Sequence, residues 1–204
     1  MTPPAIPRKR PRQERSRETY DAIVEAAAQL FERDGYTRAT TNRIAERAVV
    51  SIGSLYQYFP NKDALLYAIG EQHVRHLLDE LADVAVELRR NLPRLPDCAR
   101  RLVQALAGPH LARPRMHRLL YDQAPRPAEA ADRLREAQRG IAAEVELHLR
   151  RLGVGDPDPG LTAILLVQGV EAQLHGALLD PPPGYAIDEV IQAVQTLCIK
   201  SLVP

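Results

Sequence analysis

Tryptophan is absent, and the 204 residues hold only two cysteines, two phenylalanines and two methionines. Aromatics make up 4% of the chain, and runs alternating apolar with polar residues are missing. Both shortages argue against strands. The two thiols, Cys98 and Cys198, lack paired motif spacing. That excludes a disulfide framework and points to a reducing, cytoplasmic setting. There is no Gly-rich phosphate loop, nucleophile elbow or HExxH run, so neither an enzyme nor a cofactor is expected. His73 and His76 stand i, i+3 without a third ligand at suitable spacing, so no metal centre is expected. No apolar run reaches the roughly 18–20 residues that span a bilayer, and a soluble protein is expected.

Net charge is also slight, +1, until it is divided. Residues 1–62 carry 11 Lys/Arg against 7 Asp/Glu, a balance of +4, and the remainder carries 16 against 19, a balance of −3. Arg8, Lys9, Arg10, Arg12, Arg15 and Arg17 form a basic arm with Glu14 the only acid among them. Residues 1–13 are rich in Pro and Arg without apolar period, so they should be disordered. Such an arm suits phosphates or a minor groove, and it equally suits a solubilising tail.

What the chain does contain is helical periodicity with Gly and Pro punctuation. An opening helix is expected over about 17–34, ended by Gly35. A pair of short helices follows at 41–59, then a long helix over 62–91. Further helices are expected at about 97–107, 109–123, 127–152, 160–180 and 186–202, with Pro114 kinking or restarting its segment. The long helix should place Leu65, Leu66 and Ile69 in a first domain. Val74, Leu77, Leu78, Leu81, Val84, Val86 and Leu88 should enter a second. The fold class is all-α with about nine helices. The expected parts are the arm at 1–13, a helix-turn-helix domain at 14–62 and a second helical domain at 63–204.

The short pair carries the functional signal. Thr40 or Thr41 can cap the first helix, whose inward residues are Ile44, Ala45 and Ala48. Ser51 can cap the second, where Ile52, Leu55 and Phe59 share one face. Gly53, Ser54, Gln57 and Tyr58 lie on or beside the other. A small residue near a helix N-terminus permits close approach to DNA, and such a terminus favours phosphate. Tyr56 and Tyr58 offer hydroxyls, Arg43 and Lys62 positive charge. Two helices joined so tightly are what enters a major groove. An ordinary helical protein uses the same pattern for packing, and a helical scaffold or ligand-binding dimer is the rival reading.

The stretch from Arg17 to Leu66 resembles the N-terminal domain of the TetR family of transcriptional regulators. The resemblance rests on Leu30–Tyr36, Thr40-Thr41, Ile44–Ala48, Ser51–Phe59 and Asn61–Leu66. It implies phosphate contacts at Thr41, Tyr56 and Lys62, and positions facing bases or the groove at Ser51, Gly53, Ser54 and Gln57. It also implies a homodimeric repressor on a palindromic double-stranded operator, released by a small-molecule effector. One departure stands out. The family's Ala-Gly-Val turn is Ala48-Val49-Val50 here, and a β-branched residue resists positive φ. The turn is expected to persist with Val49 avoiding that conformation.

In the second domain, Leu161, Ile164, Leu165 and Leu179 mark one face of a helix, and Leu166, Val170, Leu174 and Leu178 another. Apolarity on two faces indicates burial on two sides. The last helix repeats the theme with Ile187, Val190, Ile191, Val194, Leu197 and Cys198. Monomer core and dimer interface both account for this, and the resemblance implies the dimer. For the effector, polar groups on apolar helices are the candidates: His117, Tyr121, Gln168, Glu171 and His175, lined by Met116, Leu120 and Val167. Each has an ordinary alternative as a satisfied core or interface group.

Overall fold

The computed structural model describes residues 6–8, 13–125, 128–155 and 157–203. Among them are nine α-helices and no strand. They are α1 (Glu14–Asp34), α2 (Thr41–Arg47), α3 (Ile52–Tyr58), α4 (Lys62–Asn91), α5 (Leu95–Ala112), α6 (Pro114–Gln123), α7 (Ala128–Leu152), α8 (Pro159–Leu179) and α9 (Ile187–Lys200). The chain forms two compact units. One comprises Met1–Val74 with Arg115–Pro127, the other Arg75–Pro114 with Ala128–Pro204.

The first unit has one continuous core. Ile23, Val24, Leu30 and Phe31 of α1 meet Ile44, Leu55 and Phe59 of the short pair, and Leu65, Leu66 and Ile69 of α4. Local chemistry sets the helix ends. Gly35 takes φ +79 after α1, and its N–H donates to the Phe31 carbonyl. Asn61 Oδ1 accepts from the Ala64 N–H at 2.8 Å, starting α4. α6 belongs here too: Met116 and Leu120 are buried in this core, and the Met116 N–H donates to the Glu32 carboxylate. Burying each such side chain contributes about 1.5–3 kcal/mol. A domain boundary at residue 62 therefore does not coincide with the packing, because α6 returns to the first unit from far along the chain.

The second unit packs differently. Its buried residues fall into three separate clusters, centred on Val103 with Leu174, on Leu88 with Cys98, and on Leu149 with Ala163. Leu81, Val84 and Leu88 of α4 point inward as the period requires, but Val86 is exposed. It lies two residues from both Val84 and Leu88, about 200° round the helix from each. α5 runs through Pro109 to Ala112, so the break expected at Gly108-Pro109 is not there. Ala107, Pro109 and His110 are buried, so packing holds this turn. The break moves to Pro114, which opens α6 where its missing N–H costs nothing.

α8 corrects another expectation. By length and composition alone this 21-residue helix is apolar enough to cross a membrane. Ala163, Val167, Val170 and Leu174 are buried, whereas Leu161, Ile164 and Leu165 are exposed by 54%, 43% and 58%. One stripe packs within the unit, and the other is left uncovered by this chain.

Candidate nucleic-acid interface

α2 and α3 are each fixed by one hydroxyl. Thr40 Oγ1 accepts from the Arg43 N–H at 3.3 Å, and Ser51 Oγ from the Ser54 N–H at 3.0 Å. With Thr40 spent as the cap, Thr41 is free to share a hydrogen bond with Tyr56 OH at 3.1 Å. That bond places two hydroxyls side by side across the two helices. Leu55 and Phe59 anchor α3 in the core, while Ser51, Gly53, Tyr56 and Gln57 stay exposed and Ser54 half-buried. Ile52 was expected inward and is instead 38% exposed. It is the first residue of a seven-residue helix, one turn ahead of the part that meets the core. An uncovered isoleucine beside Gly53 adds an apolar contact point that sequence periodicity assigned to the interior.

The turn between the helices overturns the expectation for Val49. Its φ is +56, in the left-handed region. The Val49 N–H donates to the Glu46 carbonyl at 3.1 Å, and the Val50 N–H to the Ala45 carbonyl at 3.0 Å. That pair of bonds is a Schellman helix end, and it requires the left-handed residue between them. Val50 packs against the core, while Val49 itself is 90% exposed. Two hydrogen bonds and a half-buried neighbour thus hold a strain of about 1–3 kcal/mol.

Charge ties α1 to α2. Arg33 grips the Asp34 carboxylate at 2.8 and 2.9 Å, and Arg43 Nη2 adds a bond at 2.6 Å. Arg38 Nε donates to the Asp34 carbonyl at 2.8 Å. The Arg33 hydrogen bond foremost, with those of Arg43 and the attraction of both cations, lowers the Asp34 pKa from 3.8 to about 2. A depressed carboxylate stabilises the fold above its unfolded value and loses that contribution as pH falls. The melting-temperature difference between the native chain and Asp34→Asn is therefore expected to be full above pH 4 and to vanish as pH falls through 2. A difference that stays constant through acid would contradict the pairing.

The other sequence candidates fall into two groups. Arg43 is held by Asp34 and by the Arg38 carbonyl at 3.3 Å. Lys62 Nζ donates to the Tyr36 carbonyl at 2.7 Å and lies 4.3 Å from that ring's centre. Tyr58 stands edge-on to Tyr20 with ring centres 5.9 Å apart. These three carry structural contacts, in contrast to the open face of α3. The arm expected at 1–13 lies largely outside the described residues, but Ile6–Arg8 do not. The Arg8 N–H donates to the Tyr58 carbonyl at 2.8 Å, and Nη1 lies 3.4 Å from the Tyr56 carbonyl. A cation is thereby seated at the negative end of α3, a contact the disordered reading of this segment had no means to find.

Two family models match this chain. One, bacterial regulatory proteins of the tetR family, covers residues 23–69. The other, the tetracyclin repressor-like C-terminal domain, covers residues 95–200, about half of the chain. The chain belongs to the TetR family. Its members are DNA-binding transcriptional regulators. Over 61 residues it is 41% identical to the A-factor receptor protein of Streptomyces griseus, covering 30% of this chain and 22% of that one. Over 94 residues it is 26% identical to the fatty acid metabolism regulator protein of Bacillus subtilis, covering 46% and 48%. The chain spans about a fifth to a half of the length of these curated relatives. Among solved structures, a TetR/AcrR-family regulator from Thermobifida fusca aligns with a TM-score of 0.68 at 20% identity, covering 90% and 96%. SmeT, repressor of a Stenotrophomonas maltophilia multidrug efflux pump, aligns at 0.61 and 22%, covering 92% and 93%. SmeT has also been solved in complex with triclosan.

In this TetR-family chain the residues expected to bind an effector are not gathered at one place. Met116 and Leu120 pack in the first unit's core, His117 is buried on the same helix, and Tyr121 is half exposed. In the second unit Gln138 donates to the Glu171 carboxylate, and His175 Nδ1 lies 3.0 Å from the Glu171 carbonyl. Gln168 is exposed. Of the eight, only Val167 faces a cavity in the second unit. That cavity has a volume of about 70 Å³. Leu81, Cys98, Leu102, Val103, His148 and Cys198 are among its walls. No motif or spacing in the sequence marked it.

Proposed function

We propose that the chain is a homodimeric repressor whose α3 helices enter successive major grooves of a palindromic operator. The carrying observation is the face of α3. Ser51, Gly53 and Gln57 are exposed on a helix anchored by Leu55 and Phe59, with the Thr41–Tyr56 hydroxyl pair beside it. Polar side chains on such a helix can read base edges, and the exposed Ile52 can meet a thymine methyl. The hydroxyl pair suits a phosphate. Lys62 and Tyr58 contribute mainly by holding the frame, and Lys62 retains two further N–H donors for phosphate.

A second copy supplies the cover for α8. Its exposed stripe, Leu161, Ile164 and Leu165, together with the exposed Leu197 of α9, forms the face of an isologous interface. Twofold pairing sets the recognition helices about 34–36 Å apart, one DNA turn. An effector held in the second unit, a small molecule as triclosan is for SmeT, shifts α4 and changes that spacing. To move the balance it needs a few kcal/mol of preference for one state.

A retardation titration with the DNA flanking the chain's own gene tests the reading. A specific shift with the stoichiometry of a dimer, weakening steeply with salt, is the expected result. Equal retardation of unrelated DNA, or none, removes the proposal.

A further inference from the structure

The second unit's core is broken into three clusters, and the cavity lies where they would meet. Leu102 and Cys98 come from one, Val103 and Val170 from another, Leu149 and Leu166 from the third. Close-packed interiors rarely leave such a space. At about 10–15 Å³ per water, this 70 Å³ holds roughly five waters. Buried water needs two to four polar partners, and these walls turn no polar surface toward the space.

The walls are aliphatic carbon, two thiols and the ring of His148. One nitrogen of that ring has a hydrogen-bond partner, and the other, Nε2, is buried without one. Arg151 Nε donates to Nδ1 at 3.4 Å, and Nε2 lies 3.5 Å from Glu144 Oε1. Burial first, and then the Arg151 charge, lowers the His148 pKa below its usual value, so the ring is neutral at pH 7. Arg89 in turn grips Glu144 from α4. A carboxylate or ammonium entering this space would shed its water and meet no opposite charge.

We infer that the cavity takes a small, uncharged, wholly apolar guest, a hydrocarbon ring or short alkyl group, which joins the three clusters into one core. This rests on reading the second unit as the one that holds an effector, and it names the chemical class.

Toluene and benzoate, which differ by a methyl for a carboxylate, test it on the whole chain. Both cysteines of the chain line the cavity, so their labelling by methyl methanethiosulfonate, followed by mass spectrometry, reports its occupancy. Toluene at a few times its dissociation constant is expected to raise the melting temperature by about 2–4 °C. It is also expected to slow labelling of Cys98 and Cys198 severalfold. Benzoate at the same concentration should do neither. Equal effects of the two compounds, or no thiol protection by toluene, overturn the inference. DNA retardation is read separately. A specific shift without thiol protection removes the apolar guest and leaves the regulator. Protection with an unaltered shift supports the guest and removes it as an effector.

Discussion

Gly53→Ala is expected to leave the fold intact and to weaken operator binding by about 1–3 kcal/mol, roughly five- to 150-fold. Nothing inside the chain requires glycine at this position. Its φ is not positive, and an added Cβ would meet only Ser51 Oγ, at an ordinary 3.7 Å. Alanine is the better helix former by about 1 kcal/mol, so the variant should melt no earlier than the native chain and somewhat later. The added methyl projects from the exposed start of α3, where the proposed interface brings backbone closest to DNA. Anisotropy titrations at fixed salt, paired with thermal melts, separate the two effects. A stabilised variant with undiminished affinity would show that the α3 N-terminus does not approach the duplex.

Val49→Gly is expected to stabilise the protein by about 0.5–2 kcal/mol. The left-handed φ of +56 stores about 1–3 kcal/mol in a β-branched residue. Glycine releases that strain and returns about 0.5–1 kcal/mol through its more disordered unfolded state. Little packing is lost, because the side chain is 90% exposed. For a chain of this size the gain corresponds to a rise of very roughly 1–8 °C in melting temperature. Val49→Ala keeps a Cβ and should recover only part of it. The Schellman bonds to Ala45 and Glu46 are unchanged in both variants, so DNA affinity should follow the native chain. A glycine variant that melts at or below the native temperature would mean that the turn holds Val49 without strain.

Local chemistry was legible in the sequence where one residue decides the outcome. Ser51 caps α3, Gly35 ends α1, and α4 runs over Lys62–Asn91 as its periodicity requires. Tertiary decisions were not legible. Pro109 reads as a helix break, yet burial around it carries α5 onward to Ala112. Met116 and Leu120 read as pocket lining in the second domain because they lie far along the chain, but α6 returns them to the first unit's core. Val49 shows the reverse case. Residue preference forbids what two turn hydrogen bonds and the packing of Val50 enforce. The open face of α3 could be read from spacing, whereas the cavity depends on three clusters that no single stretch of sequence encodes.

The Arg8 contact has a practical consequence for handling the protein. Two carbonyls at the end of α3 are satisfied by this residue, so a purification tag fused just ahead of it would hang at the base of the helix proposed to enter the groove. Under the proposed mode of binding, its bulk and charge would compete with the duplex for the same ground. A tag placed after residue 203 follows Leu202, which is buried and forms part of the cavity wall. An affinity measured on either fusion therefore includes the tag, and cleaved protein is the sample to compare.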